Sequence, residues 1–162
     1  MSKTNAITLL KEDHNKVKDL FDQFEDASNA AQKHKIAKQA IEELKIHAAI
    51  EEEIFYPTVR QNIEDDENLM NEAQEEHHVA KVLIAELDAL DSFDDTYEAK
   101  FTVLAENVRH HIKEEEGDMF PEAKDADVDM EALGQKLMER KEELKSQGVP
   151  KTPEEEMVAC AK

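Results

Sequence analysis

The sequence predicts an all-α protein, an up-down-up-down four-helix bundle with an extra C-terminal helix and a flexible tail. Two observations support this fold. The 162-residue chain has three glycines, four prolines and no tryptophan but abundant Ala, Glu, Lys and Leu, a composition typical of long helices with little sheet. Its apolar residues also recur every three or four positions in four successive segments, as the buried stripe of a helix requires.

The segments divide the chain into a bundle and a C-terminal extension. The four striped segments span roughly residues 7–24, 32–60, 67–90 and 94–116. A polar connection is expected at residues 61–66, and the bundle domain as a whole covers residues 1–125. A fifth amphipathic pattern predicts an accessory helix within residues 126–147, and the Gly and Pro residues beyond it predict a disordered tail over residues 148–162.

Charge and cysteine usage exclude several classes of protein. The 20 basic and 40 acidic residues give a formal charge of −20, which repels phosphate backbones and anionic lipid surfaces, so neither nucleic acid nor a membrane is an expected partner. Cys160 is the only cysteine, which excludes an intrachain disulfide and a thiolate metal cluster. With neither a secretory signal nor an apolar run of membrane-spanning length, we expect a cytoplasmic protein, a monomer or weak homodimer.

A paired motif occurs once in each half of the bundle. His47 and His111 are each followed four residues later by a glutamate, Glu51 and Glu115, and ten residues later by a proline. Residues four apart on a helix lie about 40° from each other and share one face. Each motif therefore presents one imidazole and one carboxylate together, and both lie on the apolar stripe of their helix.

Two further histidines, His14 and His77, fall on the stripes of the other two helices. The spacing from His14 to His77 differs by one residue from that between His47 and His111, so the bundle is a helix pair used twice. A lone histidine on an apolar face is usually a hydrogen-bonded core residue, but four in register with two glutamates indicate a site. Burying two carboxylates costs several kcal/mol per ion. Because the stripes contain no Lys or Arg, the alternatives are a metal-free His–Glu core or bound cations.

The ligand set favours two metal ions. Four imidazoles and two carboxylates are too many for one tetrahedral zinc and too rich in nitrogen for calcium or magnesium. Two redox-active first-row ions with bridging carboxylates would use all six ligands and leave open coordination positions. Iron is the first expectation, with manganese and zinc as the alternatives.

The order His, His-x-x-x-Glu, His, His-x-x-x-Glu, with Phe55-Tyr56-Pro57 and Met119-Phe120-Pro121 after the two motifs, resembles the hemerythrin-like (HHE) cation-binding domain. The resemblance covers about residues 5–121. It implies a four-helix bundle that holds a non-haem di-iron centre. The matching ligand positions are His14, His47, Glu51, His77, His111 and Glu115.

The resemblance also shows a departure. Oxygen-carrying hemerythrins have a fifth histidine where this chain has Ala73, and their last carboxylate is an Asp spaced one residue further from its histidine. An open site or a substitute ligand is therefore expected. Tyr56 is a candidate for that additional ligand, although regular helix geometry places it about 180° around from His47. Glu52, Glu53, Glu114 and Glu116 are expected to be solvated, and His34, His78 and His110 to be exposed.

The expected function is a hemerythrin-like di-iron protein that binds, reduces or disproportionates a small oxidant, namely oxygen, hydrogen peroxide or nitric oxide, in the context of oxidative stress. Peroxide- or NO-directed oxidoreductase activity is one form of this expectation. The alternatives are an iron or oxygen sensor or store without turnover, and an iron–sulfur cluster repair protein. Members of that last group typically carry a cysteine-bearing N-terminal segment, whereas this sequence begins directly with the first ligand helix.

Overall fold

The computed structural model describes residues 4–63 and 67–161, which form eight α-helices and two π-helical turns. The predicted connection at residues 61–66 therefore lies partly outside the described residues. The α-helices are α1 (Ala6–Asp26), α2 (Ala30–Ile50), α3 (Tyr56–Asn62), α4 (Glu67–Asp88), α5 (Asp95–Glu114), α6 (Phe120–Asp125), α7 (Met130–Gln147) and α8 (Pro153–Cys160). The π-helical turns are Glu51–Phe55 and Glu115–Met119.

Capping residues set where the bundle helices begin. The side chain of Asn5 accepts a hydrogen bond from the backbone N–H of Ile7 at 2.9 Å, and Asn29 accepts from Gln32 at 2.8 Å. Asp94 caps α5 through the N–H of Tyr97. These side chains satisfy backbone donors that have no partner within the helix, so the polar turns fix the helix starts.

Helices α1, α2, α4 and α5 form the predicted four-helix bundle, in which α1 packs on α2 and α4 on α5. We refer to α1 and α2 with their π-helical turn Glu51–Phe55 as the first half, and to α4 and α5 with Glu115–Met119 as the second half. The apolar side chains form two clusters along the bundle, one around Leu10, Phe55 and Phe120 and one around Phe21 and Phe101. The polar residues of the stripes lie between these clusters.

Each π-helical turn joins a bundle helix to a short helix in the same direction. The N–H of Tyr56 donates to the carbonyl of Glu51, and that of Phe120 donates to Glu115, both across five residues. Pro57 and Pro121 follow in the first turn of α3 and α6, where a missing N–H is tolerated. The sequence predicted one helical segment over residues 32–60, which the structure divides into α2, the π-helical turn and α3.

The C-terminal extension packs differently on the two halves. Helix α7 lies against α1 and α2, with Leu133, Leu137 and Leu144 in the same apolar cluster as Leu10. The prediction of a disordered tail was wrong for Pro153–Cys160, which form α8 against α4. Thr152 caps this helix by accepting from the N–H of Glu155, so Pro153 begins a helix instead of breaking one. Among the described residues, no helix combines the length and apolar character needed to cross a membrane.

Candidate metal centre

The structure brings all six predicted ligands together in the bundle interior, where each is buried. They form two groups. Within each group, the ligand atoms all lie within 4.8 Å of one another. The first ligand set contains His14, His47 and Glu51, and the second contains His77, His111 and Glu115 together with Glu51. Glu51 belongs to both, so its carboxylate is placed to connect two cation positions.

The ligand nitrogens point at one another and at the carboxylates. The Nε2 atoms of His14 and His47 are 3.1 Å apart, and those of His77 and His111 are 3.2 Å apart. His47 Nε2 also lies 2.9 Å from Glu51 Oε1, and His111 Nε2 lies 2.7 Å from Glu115 Oε2. Convergence of imidazole nitrogens and carboxylate oxygens at this spacing is the arrangement that a shared cation satisfies.

Outer carboxylates determine which imidazole nitrogen faces inward. Each Nδ1 atom lies near one carboxylate oxygen. The pairs are His14 with Glu116 at 3.3 Å, His47 with Asp13 at 3.0 Å, His77 with Glu52 at 3.3 Å and His111 with Glu76 at 3.4 Å. A proton held on Nδ1 by such a partner leaves the Nε2 lone pair free for a metal, as in carboxylate–histidine–metal triads.

Sequence reasoning missed this outer shell, and for Glu52 and Glu116 it was wrong. Both were expected to be solvated, yet their side chains are only 30% and 27% exposed and each contacts a buried imidazole. A signal was present in the repeat itself. An acidic residue precedes the histidine in α1 and in α4, and another follows the glutamate of each paired motif.

Unpaired carboxylate oxygens indicate that the site is built for cations. In the described part of the chain, both oxygens of Glu51 and Oε1 of Glu115 are buried without a hydrogen-bond partner. Orphaned buried acceptors of this kind cost free energy unless positive charge accompanies them. The donor set of imidazole and carboxylate suits first-row divalent ions, so these residues fit a pair of such metals.

Without metal, the surroundings of two of these residues raise their pKa values, so that both take up protons more readily. Burial opposes a charge on His47, but the carboxylates of Glu51 and Asp13 raise its pKa to about 10. Burial and the nearby Glu51 carboxylate raise the pKa of Glu115 to about 7. Burial and the charge on His47 lower the pKa of His14 to about 3. Protons on His47 and Glu115 thus occupy places that metal ions would take.

The Tyr56 hydroxyl lies beside the second ligand set, contrary to the regular-helix argument against it. Its hydroxyl donates to Glu115 Oε2 at 3.1 Å and lies 3.1 Å from His77 Nε2 and 3.3 Å from His111 Nε2. The π-helical turn Glu51–Phe55 takes up an extra residue before Tyr56, and this rotates the side chain toward the bundle axis. Burial and the charge of Glu115 raise the pKa of Tyr56 well above its ordinary value, so without a cation the phenol is neutral.

Phe120 is the counterpart of Tyr56 in the second half, since it also follows a π-helical turn. Its ring stacks on His14 with a centroid separation of 5.8 Å and an interplanar angle of 2°. Each aromatic residue therefore crosses from its own half to the ligand set of the other. One set receives a hydroxyl and the other an apolar ring.

A small cavity of about 40 Å³ adjoins the ligands and has apolar walls that include Val17, Leu44, Ile84 and Val108. Ala73 stands at the position where the resembling oxygen carriers have a fifth histidine. It is buried in the apolar cluster around Leu10, and its methyl side chain supplies no ligand atom. Of the histidines expected outside the site, His78 and His110 are exposed and His34 is half-buried.

Together, these features define a helical bundle with a buried histidine–carboxylate cation site. Residues 5–123 match the hemerythrin HHE cation binding domain family. Because the match covers most of the chain, the protein belongs to that family.

Two similar proteins add context. The fold matches the crystal structure of a hemerythrin HHE cation binding domain-containing protein from Mycobacterium kansasii, with a TM-score of 0.72 and 26% sequence identity over 89% of this chain and 94% of the other. A protein from Nostoc sp. (strain PCC 7120) described as a DNA nickase is 27% identical over 116 residues. That similarity covers 72% of this chain but 32% of the relative, so the chain spans about a third of the relative's length.

Proposed function

We propose that this protein holds two non-haem iron ions and binds, reduces or disproportionates a small oxidant, namely oxygen, hydrogen peroxide or nitric oxide. The observation that carries the proposal is the shared position of Glu51 between two buried ligand sets, with both of its oxygens free of hydrogen bonds among the described residues. A carboxylate that connects two cation positions favours a paired centre over two separate sites. Manganese and zinc fit the same donors and are the alternatives to iron.

The ligands divide unequally between the two positions. His14, His47 and Glu51 would hold one ion, and His77, His111 and Glu115 would hold the other, with Glu51 between them. Bound there, iron would supply electrons to the oxidant and open coordination positions for it. We also propose Tyr56 as an additional ligand of the second position, because its hydroxyl already lies at 3.1 to 3.3 Å from three ligand atoms of that set.

The surrounding residues orient the ligands and restrict what reaches them. Asp13, Glu52, Glu76 and Glu116 lie within 3.4 Å of the Nδ1 atoms and would hold their protons, which leaves each Nε2 free to bind a metal. The apolar walls of the cavity exclude bulk water. Its volume of about 40 Å³ suits a diatomic molecule or a peroxide and is far below that of an organic substrate.

The test is metal counting followed by reaction with peroxide. The purified protein should contain two irons per chain, and added hydrogen peroxide should produce multiple turnovers of oxygen release or peroxide loss with a change in the optical spectrum. A stable oxygen or azide adduct without turnover would instead favour the sensor or store. A folded protein that binds no iron, manganese or zinc would overturn both.

Replacement of Glu53 by Ala gives a matched control for carboxylate loss. Glu53 lies two residues from Glu51 but faces solvent and pairs with Arg140 at 2.7 Å. The Glu53→Ala variant should keep both metals and the full peroxide response. An equal loss in Glu53→Ala and Glu51→Ala would show that nonspecific acidity, not the buried site, holds the metal.

A further inference from the structure

A third cluster of metal-ligating side chains lies on the outer face of the second half, outside the centre described above. It consists of Glu76 on α4 and His110 and Glu114 on α5, and one ligand atom from each lies within 4.8 Å of the others. His110 Nε2 is 3.1 Å from Glu114 Oε1, one helical turn away. The imidazole is exposed and the two carboxylates are half-buried, so the cluster is open to solvent on one side.

The cluster can be compared with the corresponding positions in the first half of the repeat. The residues of the first half that correspond to His110 and Glu114 are Ile46 and Ile50. Both isoleucines are buried in the apolar cluster that includes α7. The same face of the helix pair is therefore apolar and buried in the first half, and polar and partly exposed in the second.

Asp13 of the first half and Glu76 of the second, which correspond in the repeat, also differ in their contacts. Asp13, which contacts His47 with one oxygen, contacts the ammonium of Lys141 from α7 with the other. Glu76 contacts His111 with Oε1, whereas its Oε2 is buried and has no hydrogen-bond partner among the described residues. Where the first half supplies a lysine to this carboxylate, the second half supplies an imidazole and a second carboxylate, each with a ligand atom within 4.8 Å of an oxygen of Glu76.

From this arrangement we propose that Glu76, His110 and Glu114 form a separate site for a first-row divalent cation such as Zn²⁺ or Fe²⁺. The bound ion neutralises the Glu76 carboxylate as Lys141 neutralises Asp13. One imidazole with two carboxylates favours first-row metals over calcium and magnesium, which prefer oxygen donors alone. Ligand separations of up to 4.8 Å close onto an ion with a small movement of the flexible side chains.

In this proposal, the Glu76 carboxylate connects the outer cation to the buried centre. Glu76 would bind the outer ion while remaining 3.4 Å from the Nδ1 of His111, a ligand of the second set. The outer site is not composed of inner ligands, so its occupancy does not depend on the metal held inside. It requires only that α4 and α5 keep their packing, which the apolar stripe supplies.

The experiment is a titration of the iron-loaded protein with Zn²⁺ against a chromogenic zinc indicator. We expect one Zn²⁺ equivalent beyond the inner metals. The variant carrying both His110→Ala and Glu114→Gln should bind it at least about tenfold more weakly, with an unchanged inner iron content. His34→Ala removes a half-buried imidazole elsewhere and should retain the additional equivalent.

Two outcomes would overturn the proposal. One is the absence of an additional equivalent in the wild-type protein, and the other is equal Zn²⁺ binding by the wild-type protein and the double variant. Glu51→Ala separates this result from the fate of the inner centre when it is compared with a variant that also carries His110→Ala and Glu114→Gln. The Glu51→Ala variant should bind one Zn²⁺ more than that triple variant, whatever either holds at the inner residues. His110→Ala and Glu114→Gln tested singly should each weaken binding, so the conclusion does not depend on one variant.

Discussion

The two halves of the bundle repeat the same ligand spacing but surround it differently. In the first half α7 covers the outer face, Lys141 contacts Asp13, and the ring of Phe120 stacks on His14. In the second half the outer face is polar, one oxygen of Glu76 has no hydrogen-bond partner among the described residues, and the Tyr56 hydroxyl donates to Glu115. The repeat therefore places the candidate ligands of both sets, and the residues around it make the two sets chemically distinct.

The buried carboxylates of the two halves also differ in their electrostatics. Burial alone would raise the pKa of Glu51, but the charge of the nearby His47 outweighs it and holds that pKa well below its usual range, whereas burial and the charge of Glu51 raise the pKa of Glu115. One carboxylate is thus held ionised and the other is a proton acceptor near neutral pH. A symmetric ligand spacing has produced an unsymmetric pair, with the permanent negative charge at the residue shared by both sets.

The largest expected effect concerns that shared residue. Glu51→Ala should abolish stoichiometric loading of both metals, because Glu51 belongs to both ligand sets. Glu115→Ala should also abolish loading at two metals per chain, but it leaves the first set intact and should retain up to about one ion. Elemental analysis of the purified variants measures both. Equal residual metal in the two variants would show that Glu51 is not the connecting ligand.

The buried cluster of six candidate ligands could be predicted from sequence because these residues lie on helix stripes. The stripe period of 3.6 residues holds throughout α1, α2, α4 and α5, so each imidazole follows from its neighbours in the same helix. His111 and Glu115 were expected in the site because they lie on the apolar stripe of their helix, and His110 and Glu114 were expected at the surface. The structure has the first pair buried and the second facing outward.

The position of Tyr56 could not be predicted in the same way. A π-helical turn leaves no clear pattern in the sequence, and it changes the angular position of every residue after it. The outer carboxylates were missed for a different reason, since Glu52 and Glu116 contact imidazoles on the other half of the bundle. Contacts between helices distant in sequence depend on packing, which periodicity does not specify.

The second prediction compares the outer carboxylates of the two halves. Asp13→Asn should lower metal affinity by about 10- to 100-fold, because it weakens the partner that orients His47. Glu76→Gln should have a smaller effect, since Glu76 is further from His111, at 3.4 Å against 3.0 Å. Competition with a chelator of known affinity measures both values. A larger loss in Glu76→Gln would reverse the order inferred from these distances.

The third prediction tests the cover that α7 provides to the first half. A Cβ atom at Gly134 would lie 2.1 Å from the carbonyl oxygen of Thr4, so Gly134→Ala must displace α7 from the start of α1. We expect a loss of about 1–3 kcal/mol in the free energy of unfolding, measured by denaturant titration. Gly117→Ala is the matched control, because a Cβ there meets no atom within 4 Å. Equal stability of the two variants would show that α7 does not pack tightly in solution.

The smallest expected effect is a change of spectrum without a change of metal content. Tyr56→Phe makes the second ligand set resemble the first, in which Phe120 already occupies the corresponding place. If the Tyr56 oxygen binds the second ion, the ferric wild-type protein should show a phenolate-to-iron absorption band in the visible region that the variant lacks. Both proteins should still contain two irons, because the six His and Glu ligands remain.

Tyr97→Phe serves as the control for this comparison, because Tyr97 is buried in the other apolar cluster and should not alter the spectrum. Metal-free Tyr56→Phe should also lose about 1 kcal/mol of stability, since the hydrogen bond from the hydroxyl to Glu115 disappears. Identical spectra with that stability loss would assign Tyr56 to orienting Glu115 alone. The second ion would then keep an open position, and the difference between the halves would rest on that hydrogen bond, not on coordination.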